Sequence, residues 1–198
     1  MKRRFLSPVL VLCLAIFVTN SHAVPILNTL NGHYYDVITT ASNWYDANAA
    51  AELLTYHGLQ GHLATITSSS ENSFIQAAFA PLFPNGSAWI GGIQNTSSAF
   101  YSEPAGGWEW ITGETFLYTN WHPVEPNNIW GDRRNEDGLE FLFLIQGLWN
   151  DLPRDEVRPF AIVEYQSVPE GITWIFLMFG IIGWIVAISQ GKSVQALR

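Results

Sequence analysis

Hydrophobic and polar positions in the middle of the chain change period several times, and each change marks a predicted element. From Trp44 to His57 the apolar residues Trp44, Ala47, Ala51 and Leu54 recur at helical spacing, with Ser42 as the N-cap and Gly58 as the stop. A second helix opens at Ser68, where Glu71 supplies a capping box, and runs through Phe74, Ile75 and Ala78 to Pro81. Residues 31–40 read as an early strand after an Asn-Gly turn signal, and 63–66 as a short one. Trp89-Ile90-Gly91-Gly92 sets a bulky ring beside glycines, the pattern of a buried strand running close to another backbone. Residues 107–114 alternate large and polar side chains, which predicts a half-buried strand ending in a turn. Residues 139–143 and 160–165 read as two further strands, with Trp149-Asn150-Asp151 between them.

The two ends depart from this pattern. Residues 1–23 read as a secretory signal peptide: Lys2, Arg3 and Arg4 start it, Val9 to Val18 form its apolar core, and Ser21-His22-Ala23 offers small residues for cleavage after Ala23. Cys13 lies inside that core, so the mature chain would hold no cysteine and no disulfide. Ile172 to Ile188 is uncharged and suits a short membrane span, followed by Lys192 and Arg198. Basic residues outside both apolar segments put the two ends in the cytoplasm and the middle outside. Residues 24–168 then form one domain of adequate core, and 169–198 a separate terminal segment.

Charge narrows the partners. Of the nine basic residues only Arg133, Arg134, Arg154 and Arg158 lie in 24–168, against sixteen of the seventeen acids, a formal charge of −12. Such a surface excludes nucleic acid, whose phosphates need basic neutralisation, and suits cations or neutral sugars.

The acids are also crowded. Glu125, Asp132, Glu136, Asp137, Glu140, Asp151, Asp155 and Glu156 fall in one stretch that opens with Trp121 and carries Trp149 near its end. Carboxylate and amide oxygens drawn together from a loop and a strand are what a hard cation such as calcium needs, although a solvated acidic loop has the same composition. His33, His57 and His62 have no acid or cysteine at ligand spacing and read as structural or exposed. No nucleophile with a neighbouring His and acid is recognisable, so an enzyme is not expected; His122 is the one candidate general base.

Over about Gly32 to Tyr165 the chain resembles a C-type lectin-like domain, through Trp89-Ile90-Gly91, Trp108-Glu109-Trp110, Asn120-Trp121, Glu125-Pro126-Asn127 and Trp149-Asn150-Asp151 in that order after two helices. The resemblance implies an α+β fold with two helices, small antiparallel sheets and a long loop region that binds calcium. It further implies that Glu125 and Asn127 flank a cis Pro126, and that Glu125, Asn127, Glu136, Asn150 and Asp151 hold Ca2+. Glu125, Asn127, Glu136 and Asn150 would also bind carbohydrate, the Glu-Pro-Asn arrangement going with mannose- or glucose-like vicinal diols. Asp132 and Asp137 are substitutes for Glu136, because residues 129–135 look longer than usual. The family's cysteines after the Glu-Asp pair and after Trp-Asn-Asp are replaced by Gly138 and, approximately, Arg154, which implies a loop ordered by its ion. Arg133 and Arg134 balance charge or meet an acidic ligand, and Trp130 stacks on a sugar or covers the core.

The tail, Val168-Pro169-Glu170 and then an apolar span, is similar to a bacterial PEP-CTERM sorting signal processed by an exosortase; Gly171 stands where a second proline is usual. The resulting expectation is a bacterial, calcium-dependent carbohydrate-binding module exported to the cell surface or matrix, with a glycan or extracellular polysaccharide as partner. A lectin-fold interaction or adhesion domain for surface proteins, with calcium only structural, is the second reading.

Overall fold

The computed structural model describes residues 24–130 and 134–166. The expected signal peptide, the tail from Val168 onward, Asp132 and Arg133 lie outside the described residues. Among the described residues no helix is long and apolar enough to cross a membrane.

The elements are β1 (Ile26–Leu27), β2 (Tyr34–Ile38), α1 (Trp44–Glu52), β3 (Thr55–Tyr56), β4 (Leu59–Leu63), α2 (Ser69–Phe79), β5 (Ser87–Gln94), β6 (Trp108–Trp110), β7 (Gly138–Leu142), a 3-10 turn at Phe143–Ile145, β8 (Leu148–Leu152) and β9 (Phe160–Tyr165). This is an α+β domain with the two expected helices. In place of separate small antiparallel sheets, its strands join one mixed sheet. Strand β9 makes the join: it pairs antiparallel with β2 along one edge, and along the other antiparallel with β4 and parallel with β5 through Ala88–Phe160 and Trp89–Ala161. Strand β5 then pairs with β7, and β7 with β8, so the loop-bearing hairpin is hydrogen-bonded into the same network as the chain's first strands.

Helix α1 is shorter than its periodicity predicts, and Asn43 rather than Ser42 caps it, accepting at Oδ1 from Asp46 N at 2.9 Å. Ser42 instead bridges to Arg158. Gly58 does not stop the helix; His57 and Gly58, at φ 51° and 79°, form the tight turn between β3 and β4. Tyr56 gains ring contacts with Tyr34 and Tyr165 in that hairpin, at 5.0 and 5.8 Å, which outweigh one more turn of helix. Helix α2 begins as predicted, with Ser68 Oγ accepting from Glu71 N at 3.2 Å. Glu71 does not complete the box; its carboxylate bonds Thr67 N at 2.7 Å and Tyr35 Oη at 2.5 Å, drawing the helix onto β2.

The core has two parts. Trp149, Trp110, Phe141, Ile90 and Ile162 belong to one, and Trp44, Trp89, Leu63 and Val163 to the other. The indoles of the second part are satisfied by backbone, Trp44 Nε1 donating to Ile90 O at 2.9 Å and Trp89 Nε1 to Ser42 O at 3.1 Å. Between them β5 shifts register from Ile90 to Ile93, and Gly91 turns to bond Ala64 O at 2.8 Å while accepting from Ile111 N at 3.0 Å. A Cβ on Gly91 would sit 2.6 Å from Leu63 O, so the close backbone approach expected from Gly91-Gly92 is present.

Gly91→Ala should therefore cost about 3 kcal/mol, since backbone and not a flexible side chain must move. A thermal scan should show its midpoint about 10 °C lower; a shift within error would mean that the two backbones separate freely.

Candidate metal and ligand site

The long loop leaves the core after β6 and is pinned beside β8. Trp121 and Trp149 form a parallel bridge, Trp149 N donating to Asn120 O at 2.8 Å and His122 N to Trp149 O at 2.9 Å. The Trp149 ring is fully buried against Trp110, Tyr118 and Trp121, and its Nε1 donates to Asn72 Oδ1 at 2.9 Å. A turn closed by Glu125 N on His122 O at 2.8 Å then leads to the Glu125-Pro126 bond, which is cis as expected.

Beyond it, successive backbone amides face two carboxylates. Asn127 N and Asn128 N donate to Asp151 Oδ2 at 3.1 and 2.8 Å, and Ile129 N donates to Glu136 Oε2 at 2.6 Å. Asn128, at φ 45°, holds the loop: its Oδ1 accepts from Glu136 N at 3.0 Å and its Nδ2 donates to Asn135 Oδ1 at 3.1 Å. Sequence reasoning passed over Asn128, although asparagine is the usual non-glycine choice for such a backbone.

Glu125, Asn127, Glu136 and Asp151 are thus gathered at one place. Glu136 and Asp151 are buried, and Glu125 Oε2 is buried with no hydrogen-bond partner. Burial, then the adjacent Asp151, then Glu136 push the Glu125 carboxyl up to about 7. Burial first and Asp151 second raise Glu136 to about 7 as well. A divalent cation fits this donor set: it would supply the missing partner of Glu125 and offset the mutual repulsion.

Asn150 is not gathered with them. On β8 it faces away from Asp151, and its Nδ2 donates to Glu140 Oε2 at 3.1 Å, leaving Oδ1 as its uncommitted oxygen. Glu140 in turn pairs with Arg158 at 2.5 Å. Asp137, a substitute ligand in the sequence, is held by Arg154 at 2.5 Å. The two positions that stand for the family's cysteines are neighbours: a Cβ on Gly138 would lie 2.7 Å from Arg154 Cγ. Arg154 also lies over the rings of Trp44 and Tyr45, at 5.6 and 4.9 Å, so an ion pair and two ring contacts occupy the place of a covalent link. Arg134 balances charge by pairing with Asp155 and Glu156, and its guanidinium lies 5.7 Å from the half-exposed Trp130 ring, which does not belong to the core. The His122 ring bonds no carboxylate among the described residues.

A second group of donors contradicts the reading of His33 as unaccompanied. Its Nδ1 lies 2.6 Å from Glu164 Oε1, and ligand atoms of His33, Glu71 and Glu164 fall within 4.8 Å of one another, a set able to hold a metal ion. The acids are far away in sequence, on α2 and β9, so no local spacing reveals them. Tyr35 Oη and Thr65 N bond the same carboxylates, which makes the group a tie between β2, α2 and β9. The Glu164 hydrogen bond raises the His33 pKa, and burial raises that of Glu71.

The family profile of the lectin C-type domain matches residues 40–160. A protein described as a lectin from Pleurodeles waltl is 34% identical over 131 residues, which make up 64% of this chain and 67% of that protein. Among solved structures, an EPNH mutant of CEL-I, a C-type lectin from Cucumaria echinata, matches with a TM-score of 0.59 and 20% identity over 71% of this chain and 93% of that one. A calcium-independent type II antifreeze protein matches with a TM-score of 0.55 and 26% identity over 74% and 94% of the respective chains.

Carboxyls raised in the folded state favour folding when protonated. In chelator, stability contributed by Glu125 and Glu136 should be full below their ordinary value of 4.5 and be lost as pH rises to about 7. Thermal midpoints with chelator should therefore fall between these pH values, and Glu136→Gln should flatten the slope; an equal slope in the variant would show that the gathered carboxylates do not repel.

Proposed function

The chain belongs to the lectin C-type domain family, and on that premise we propose that it is a calcium-dependent binder of neutral carbohydrate. One buried atom supports this most: Glu125 Oε2, without a partner and beside Glu136, Asp151 and Asn127. Its need for a positive partner is met by Ca2+, with Glu125, Asn127, Glu136 and Asp151 as ligands. As a fifth ligand, Asn150 would have to turn its side chain from Glu140 toward the loop. Vicinal hydroxyls of a mannose- or glucose-type sugar would complete the ion's oxygen shell, Glu125 accepting and the Asn127 amide donating. The Pleurodeles relative, described as a lectin, agrees with this reading.

Asn150 also favours a second reading, a lectin-fold interaction domain in which calcium is structural or unused. Its amide is already committed to Glu140, and one similar fold is described as calcium-independent. Both readings assign binding and not catalysis, and both place residues 24–168 outside the cell. The signal peptide at 1–23, the bacterial source, and the 169–198 segment as an exosortase-processed or membrane-anchoring tail belong to the same proposal.

Calcium at about a hundred times its Kd should stabilise the fold by about 2.7 kcal/mol, and mannose should raise the midpoint further in the calcium form only. Absence of a calcium shift sinks the metal reading; a calcium shift with no response to any simple sugar selects the interaction domain. On a glycan array, Glu125→Gln with Asn127→Asp should shift preference away from mannose-type diols. Intact-mass measurement of protein from cells and from medium tests the tail: material lacking residues after about 169 supports processing, and an uncut tail on all surface material excludes it.

A further inference from the structure

A second concave surface lies at the opposite end of β8 from Asp151. It is a cleft of about 530 Å³ between α2 and the β7–β8 connection, with Tyr118 and Asn120 of the loop on its side. That volume lies in the usual range of small-molecule pockets, about 300–1,000 Å³.

The floor is built by hydrogen bonds that use up their groups. Gly147 O accepts from Asn72 Nδ2 at 3.2 Å and from Asn120 Nδ2 at 2.8 Å, while Asn72 Oδ1 receives the Trp149 indole. Gly147 sits at φ 72°, and a Cβ there would lie 2.4 Å from Phe141 Cζ, so the turn is held against the core. The rim is different: the hydroxyls of Tyr118, Ser69 and Ser73 and the side chain of Gln146 make none of the described hydrogen bonds. Leu144, Ile145 and Leu148 place apolar surface among them. None of the nine lining residues is charged, in a domain whose formal charge is strongly negative.

We propose that this cleft is a metal-independent subsite for a neutral, hydroxyl-rich ligand, one saccharide unit of a glycan. A sugar presents C–H faces and hydroxyl edges together, which suits apolar side chains interleaved with uncommitted hydroxyls and amides. An anionic or cationic ligand would find no counter-charge in the lining. From Leu148 to Asp151 the strand advances about 10 Å, which sets the spacing of the cleft and the loop site along β8. The subsite extends the carbohydrate reading but needs neither calcium nor Glu125, so the two can fail separately.

The test is a titration of the isotope-labelled full chain with maltotriose, mannotriose and chitotriose in excess chelator, followed by amide NMR. Saturable shifts at Ser73, Gly147 and Leu148 are expected for at least one of the sugars. Tyr118→Phe, which keeps the ring against Trp149, should weaken that binding roughly fivefold through the loss of one hydrogen bond. Ser73→Trp, on the exposed face of α2, should abolish it. The proposal is overturned if none of the three sugars moves those amides, or if the shifts persist unaltered in both Tyr118→Phe and Ser73→Trp. A lost calcium response with these shifts intact would overturn only the loop-site reading.

Discussion

The packing of Trp149 is the constraint on which the binding end of the domain depends. Its ring is fully buried among Trp110, Tyr118 and Trp121, its indole is bonded to α2 through Asn72, and its backbone holds residues 120 and 122 of the loop. One residue therefore fixes where the loop leaves the sheet, how β8 lies, and where α2 sits relative to both. Buried aromatic area provides the energy, and the indole and backbone hydrogen bonds provide the direction. The carboxylate cluster and the uncharged cleft lie at the two ends of the strand that carries this residue.

Charge then determines how the loop is held. A cysteine-free domain with many acids and four arginines has few ways to tie a long loop down, and here three of those arginines are spent on it or beside it. Arg154 joins Asp137 to the α1 aromatics, Arg134 joins the loop to Asp155 and Glu156, and Arg158 neutralises the buried Glu140. Among the described acids of the stretch from Trp121 to Glu156, those left without a cation are Glu125, Glu136 and Asp151, and the first two are pushed toward neutrality by burial and then by Asp151. Backbone amides of residues 127–129 bond the Asp151 and Glu136 carboxylates and brace the described part of the loop. Ion pairs and amide bonds thus brace the loop in a domain that has no cysteine.

Local pattern made much of this legible. The two helices, the β5 glycines, the Trp-Asn-Asp strand and the order of motifs were readable because each depends on neighbours a few residues apart: a cap, a period, a close backbone approach. Where prediction missed, a distant partner had won. The α1 stop moved because Tyr56 packs on Tyr34 and Tyr165, and the capping box opened because Glu71 turned toward Tyr35. His33 lay beyond reach for the same reason, its partners being carried on α2 and β9.

By itself the sequence determined an acidic α+β domain of the lectin C-type family and the identity of the residues available to a cation, because composition, periodicity and motif order are local or additive properties. Only the tertiary structure decided which of those residues meet. It set Glu125, Asn127, Glu136 and Asp151 together, turned Asn150 toward Glu140, and gave Asp137 to Arg154. The physical reason is that alternation along β8 and its register with β7 assign each side chain a face, and burial then forces each charge to find the partner on that face.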